Sequence, residues 1–242
     1  MRSDTAKSVE LPLRDIRRRL SWVEFLAPLS EGELEELMRR AEFVRLDKGE
    51  VLLLGPEEQA ERMLLVVAGQ LQVYEVALGS GREHTLWVLD SGSAVSATGL
   101  LPRWVRELHI RALRSSMVCR IEQIDLEALV LRHPEAGPRL ARTLASKLML
   151  MEDRWADMVE KEVSERLAAL LYMLVDGMGV MTKEGPMIPT RYTHKQLGSM
   201  IGANREAVSR AFAELQEGGC VEVRKRRVYV KDFDALRQNA GE

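Results

Sequence analysis

The chain has 242 residues, with 35 Lys plus Arg against 37 Asp plus Glu, a formal net charge of −2 and 46% hydrophobic residues. That balance excludes gross disorder and lets one large or two small domains bury a core without a disulfide or metal staple. No apolar run approaches the roughly 20 residues of a membrane helix, and Met1 to Lys7 is polar, without the apolar stretch of a secretory signal, so a cytoplasmic protein is expected. The two cysteines, Cys119 and Cys220, are isolated, so Cys-rich zinc and iron–sulfur frameworks of the usual spacing cannot be built from one chain.

From Leu13 to Arg40 apolar residues recur at helical spacing with an interruption at Pro28, which predicts two short helices. Ser30 followed by Glu33 has the form of a capping box at the start of the second. Between Phe43 and Ile124 the texture becomes β-rich. Runs at Val51 to Leu54, Leu64 to Val67, Leu71 to Val76, Thr85 to Leu89, Ile110 to Leu113 and Met117 to Ile121 are divided by turn signals such as Lys48-Gly49, Gly55-Pro56 and Asp90-Ser91-Gly92. Short, closely spaced strands predict an antiparallel barrel or sandwich.

From Pro134 to about Val159 a long helix is expected, with a narrow apolar seam at Leu144, Leu148, Met151, Trp155 and Met158. Its three- and four-residue steps are the coiled-coil period, so a second copy is the expected partner; the alternative is packing on the strand domain. A helix over Glu162 to Val175 follows, ending at Asp176-Gly177, and Met178 to Pro189 reads as a loop or short hairpin.

The segment beginning at Thr193 has the layout of a helix-turn-helix. Thr193 caps the first helix with Leu197 and Ile201 inward, Gly202 makes the turn, and Asn204 caps a second helix that buries Val208, Phe212 and Leu215. Val221 to Val223 and Val228 to Val230 flank Arg224-Lys225-Arg226-Arg227 as a two-stranded wing with a basic tip. Between Arg191 and Lys231 nine basic residues face four acidic ones, in a chain that is acidic up to Glu160 (22 basic, 26 acidic). A concentrated basic surface is what a duplex-binding module needs, because phosphate neutralisation supplies most sequence-independent affinity. Arg205, Glu206, Ser209 and Arg210 lie opposite the apolar face, where they can reach base edges in the major groove. Thr193, Lys195, Asn204 and Arg224 to Arg227, including Lys225 and Arg226, are candidates for phosphate.

These residues, with Leu29-Ser30, Lys48-Gly49-Glu50, Gly69-x-Leu71-x-Val73, Gly81-Arg82-Glu83, Asp125, Pro134, Arg166-Leu167, Leu197-Gly198 and Arg205-Glu206-x-Val208-Ser209-Arg210 in order, resemble transcription regulators of the CRP/FNR family. The resemblance covers about Phe25 to Leu236. It implies an α+β chain: an N-terminal antiparallel β-roll (a cyclic-nucleotide-binding-like jelly roll, residues 1–133), a dimerisation helix (134–160) and a C-terminal winged helix-turn-helix (161–242). It further implies a homodimer on a palindromic promoter site, with TGTGA-like or TTGA-like half-sites about two helical half-turns apart, activation as the commoner outcome, and RNA polymerase as a partner through Met178 to Pro189.

The effector region departs from the cyclic-AMP pattern. The ribose-binding carboxylate is replaced in Val95-Ser96-Ala97, Glu107 follows the candidate phosphate arginine Arg106, and Met151-Glu152 stands where hydroxyls are expected. Cyclic AMP is disfavoured, leaving a pocket for another molecule, with Ala97, Arg106, His109, Met151 and Glu152 as its candidate residues, or control by abundance. An iron–sulfur cluster is excluded within one chain, because Cys119 alone lies in this region and reads as a buried strand residue. Heme is the minor alternative. Of its candidate ligands His84, His109 and His133, the first and last read as surface positions and His109 as lining the pocket beside Arg106. The competing functions are a heme- or small-molecule-sensing repressor and a cyclic-nucleotide-binding subunit without DNA binding; no motif of an enzyme is present.

Overall fold

The expected helix pair opens the fold as α1 (Leu13–Leu20) and α2 (Glu31–Arg40), with a 3-10 turn at Glu24–Leu26 and Pro28 between them. The protein is described by a computed structural model over residues 13–21, 23–55, 62–96 and 107–241; Met1 to Lys7 and the pocket candidates Ala97 and Arg106 lie outside the described residues. At the start of α2 the Glu33 amide donates to Ser30 Oγ at 3.4 Å and the Ser30 amide to Glu33 Oε2 at 2.9 Å. The Ser30 hydroxyl also donates to Glu33 Oε2 at 2.6 Å, and this bond, then the Ser30 amide and then His133, hold the Glu33 carboxyl down to about 2.

The chain divides into two compact units, 1–81 with 85–147, and 148–242 with 82–84. In the first, β1 (Glu42–Leu46), β2 (Val51–Leu54), β3 (Arg62–Ala68), β4 (Gln70–Val76), β5 (Glu83–Asp90), β6 (Ala94–Ser96), β7 (Leu108–Ala112) and β8 (Ser116–Glu122) build two four-stranded sheets in the orders β1-β8-β3-β6 and β2-β7-β4-β5. All six expected strands are present; β1 and β6 were not foreseen. β1 follows α2 directly with no turn signal to announce it. β6 has only three residues, too few for a period to register.

Leu54, Leu64, Val66, Leu71, Val73, Ile110 and Val118 fill the space between the sheets with no exposed surface. At roughly 2 kcal/mol for each large side chain removed from water, this is the main stabilising term of the roll. β3 is buried on both faces because Met63, Leu65 and Val67 meet the helices while Leu64 and Val66 meet the other sheet. That explains its unbroken apolar run, where a half-exposed strand would alternate.

A second difference is α3 (Gln123–Arg132), a helix not expected between the strand at Met117 to Ile121 and the long helix from Pro134. Its apolar residues point both ways: Leu126 and Leu129 are buried while Ile124 and Leu131 are exposed, so no single face marks the helix. Asp125 is instead fixed by Arg40 at 2.7 Å, and His133 by Glu33 at 2.8 Å, tying the α3 end to α2. α4 (Ala136–Glu160) then runs for 25 residues, its first turns buried at Ala136 and Leu140.

In the second unit α5 (Val163–Met178) packs on the helix-turn-helix pair α6 (His194–Ile201) and α7 (Arg205–Glu217) and on α8 (Phe233–Asn239). A small sheet in the order β11 (Val221–Arg224), β12 (Arg227–Val230), β10 (Gly185–Met187), β9 (Val180–Thr182) completes it. The expected helix end at Asp176-Gly177 is corrected: α5 passes through Gly177 and stops before Gly179. There a side chain would bring Cβ to 2.2 Å from the Val175 carbonyl oxygen, so only glycine lets the chain turn so tightly into β9. Among the described residues no helix is long and apolar enough to cross a membrane.

Candidate nucleic-acid interface

Local chemistry sets the two helices of the motif. The Gln196 amide donates to Thr193 Oγ1 at 3.2 Å, and the Ala207 amide to Asn204 Oδ1 at 2.8 Å. Gly202 turns between them at φ 67°, a left-handed conformation that costs other residues energy. Leu197, Ile201, Val208, Phe212 and Leu215 are all buried as the period requires.

This packing leaves Arg205, Glu206, Ser209 and Arg210 together on the exposed side of α7. Their apolar neighbours on the opposite face fix the helix, and the exposed face carries two guanidinium forks, a carboxylate and a hydroxyl. Guanidinium can take guanine O6 and N7 together, and carboxylate accepts from cytosine N4. Lys195, Thr193 and Asn204 are exposed at the starts of the two helices.

The wing is a two-residue hairpin: Arg224 pairs with Arg227, and Lys225 and Arg226 between them adopt φ 49° and φ 62°. Two consecutive left-handed residues make the turn type that favours Asn-Gly, and each non-glycine there costs about 1 kcal/mol. The four cations differ in what they offer. Arg224 is held by Glu222, to which its Nε donates, and by Glu184 at 3.0 Å. The same bond from Arg224 holds the Glu222 carboxyl below its usual range. Arg227 is half-buried with Nη1 donating to Met187 Sδ at 3.7 Å, whereas Lys225 and Arg226 are exposed at the tip. The substitution pair Lys225→Asn with Arg226→Gly is expected to stabilise the second unit by about 1–2 kcal/mol. It should also reduce the slope of log affinity for duplex DNA against log salt by about 2 for each half-site, about 4 for a dimer on two half-sites. Thermal unfolding and a salt titration of binding read the two effects separately.

A residue that sequence reasoning missed is His194, at the start of α6. Its Nδ1 lies 2.8 Å from Ser209 Oγ, and its ring stacks on Phe212 at 5.1 Å between centroids with 10° between planes. Burial, then the charge of Arg205, push its pKa below the ordinary histidine value. A fifteen-residue separation gives no periodic signal.

In the first unit, His109 stands on β7, stacked on Tyr74 at 5.1 Å, with Nδ1 buried and without a hydrogen-bond partner among the described residues. Arg111 beside it donates to Gln72 Oε1 at 3.0 Å and to the Tyr74 hydroxyl at 2.9 Å. The other two histidines stand apart: His84 is exposed on β5, and His133, expected at the surface, is half-buried against Glu33. Cys119 is buried on β8 as expected, which raises its thiol to about 12. Lys147, near the middle of α4, donates from Nζ to the Ala94 carbonyl and lies 5.5 Å from the Trp87 ring centroid. Burial brings its ammonium down to about 8. Met151 and Glu152 are exposed on α4. A cavity of about 150 Å³ lies between α2 and α3, bordered by Glu33, Leu37, Arg40, Asp125 and Leu129, and includes none of the expected effector residues. Among the described residues no three His, Cys, Asp or Glu are grouped to hold a metal ion.

Comparison with known proteins agrees with both units. The profile of the cyclic nucleotide-binding domain matches residues 43–133, and that of the Crp-like helix-turn-helix domain matches residues 165–239. The chain is 29% identical over 181 residues to the cyclic AMP receptor protein of Thermus thermophilus, covering 74% of this chain and 80% of that protein. It is 24% identical over 196 residues to a global nitrogen regulator of Synechococcus elongatus, covering 80% and 87%. A CRP-family transcriptional regulator from Thermus thermophilus of known structure superposes with a TM-score of 0.68 at 26% identity, covering 82% of this chain and 96% of that one. With two domain profiles in the family's order and relatives matched across both, the chain belongs to the CRP/FNR family of DNA-binding transcriptional regulators.

Proposed function

We propose that the protein is a homodimer that binds a palindromic promoter site through α7 and activates transcription by RNA polymerase, under an effector other than cyclic AMP or under its own abundance. Acting on promoter DNA places it in the cytoplasm. The observation that carries the reading is the exposed set Arg205, Glu206, Ser209 and Arg210 on a capped helix whose other face is buried, beside a strained basic wing tip. Lys225, Arg226, Thr193, Lys195 and Asn204 contact phosphate, and Arg224 and Arg227 support the wing. The division into an effector domain at 1–133, a dimerisation helix at 134–160 and a DNA-binding domain at 161–242 assigns the seam of α4 to a second copy.

Similarity to a cyclic AMP receptor protein does not carry its ligand over. Lys147, half-buried against Trp87 and the Ala94 carbonyl, brings a side chain of α4 onto the roll next to Val95-Ser96-Ala97, the stretch from which the ribose carboxylate is missing. His109, Met151 and Glu152 remain the pocket residues to test.

Selection from random duplexes by the full-length protein tests the reading. Enrichment of inverted half-sites centred about 10 base pairs apart is expected, because two related helices must enter successive major grooves on one face of the duplex. Recovery of single half-sites or of no motif would overturn it.

A further inference from the structure

Ser209 sits on the reading face of α7, yet its hydroxyl is engaged twice within the protein. It donates to the Arg205 carbonyl oxygen at 3.0 Å, and its oxygen lies 2.8 Å from His194 Nδ1. A serine hydroxyl has one hydrogen and two lone pairs, and a carbonyl oxygen only accepts. The one arrangement that satisfies both contacts sends the Ser209 hydrogen to the Arg205 carbonyl and makes His194 Nδ1–H the donor to Ser209 Oγ. The hydroxyl then keeps a single lone pair for anything outside the protein.

We propose that His194 is a specificity-determining positioning residue: by holding the Ser209 hydroxyl as an acceptor, it selects a base pair that presents an amino group, adenine N6 or cytosine N4, at that point of the half-site. Guanine and thymine expose only acceptors at the corresponding atoms, O6, N7 and O4, and meet a serine with no hydrogen to give. The histidine is well placed for this. Its ring is fixed by stacking on Phe212, whose side chain is buried, so Nδ1 cannot swing away without losing that contact. Burial and the neighbouring Arg205 charge favour the neutral ring, in which one nitrogen donates and the other accepts. The bond to Ser209 decides which. The inference rests on the proposed reading of DNA by α7.

The test compares base preference across the selected half-site for the full-length wild type, His194→Phe, His194→Asn and Ser209→Ala. The phenylalanine keeps the stack and loses the donor; the asparagine restores an N–H close to where Nδ1 stands. Expected for His194→Phe is a loss of about five- to tenfold discrimination at one base pair, since one hydrogen bond is worth about that factor. The slope of affinity against salt should stay unchanged, and His194→Asn should recover most of the preference. Ser209→Ala should lose the same preference, with no further change when His194→Phe is added. An unaltered preference in His194→Phe, or a wild-type preference for guanine or thymine that disappears in Ser209→Ala, would overturn the inference while leaving the DNA-binding reading intact. Absence of any selected half-site for the wild type would overturn both. Matching melting temperatures for the variants separate these outcomes from loss of fold.

Discussion

Replacing Arg205 and Arg210 together by alanine is expected to reduce binding of the selected operator to the level of a scrambled duplex. Each bidentate arginine–guanine contact contributes about 1–3 kcal/mol of discrimination. Two such residues in each of two protomers therefore carry on the order of 4–12 kcal/mol, as much as the whole gap between specific and non-specific binding, which is about 4–10 kcal/mol. The fold should not change, because both side chains are exposed and the cap at Asn204, which starts α7, is kept. Gel shift at one salt concentration, with operator and scrambled duplex side by side, reads the result; specific binding that survives in the double variant would remove α7 from the reading role.

The second large effect is expected at the seam of α4. Leu148 is 59% exposed and Trp155 71%, with Leu144, Met151 and Met158 also exposed along the same three- and four-residue steps. A row of large apolar residues on a 25-residue helix is what a coiled-coil partner covers. Leu148→Glu would place two like charges close together in that contact, at a cost of several kcal/mol, enough to turn a micromolar or tighter dimer into monomers. Affinity for the two-half-site operator should then fall by about 10²–10⁴, because binding the second half-site is no longer intramolecular. Sedimentation equilibrium and the operator titration measure the two consequences. A dimer that persists in Leu148→Glu and in Trp155→Ala would return the seam to the alternative of packing within one chain.

The wing tip shows why the stable choice and the useful choice diverge. Lys-Arg in two left-handed positions is a poorer turn than Asn-Gly by about 1 kcal/mol for each residue, but it brings two cations to the exposed end of the hairpin. Counting basic residues in the sequence overstated the wing. Arg224 is neutralised by Glu222 and Glu184, and Glu184 comes from the β9–β10 turn, forty residues away. The charge that can meet phosphate therefore depends on which carboxylates the fold brings alongside.

The sequence by itself determined the helix-turn-helix, the wing, six of the strands and the long helix α4. Their signals are local: a capping hydroxyl or amide three residues from the group it satisfies, a glycine at a left-handed turn, an apolar period of 3.6, 3.5 or 2. It also carried the family resemblance, through short motifs in order from Leu29-Ser30 to Arg205-Glu206-x-Val208-Ser209-Arg210. What only the tertiary structure decided are pairings across long separations. Arg40 holds Asp125 at the start of α3; Lys147 reaches the Ala94 carbonyl; His194 meets Ser209. No periodicity encodes such contacts, since each depends on two elements being packed side by side before their polar groups can satisfy one another. For this protein the sequence names the side chains exposed on α7, and the packing of α6 against α7 brings His194 to the hydroxyl of one of them, Ser209.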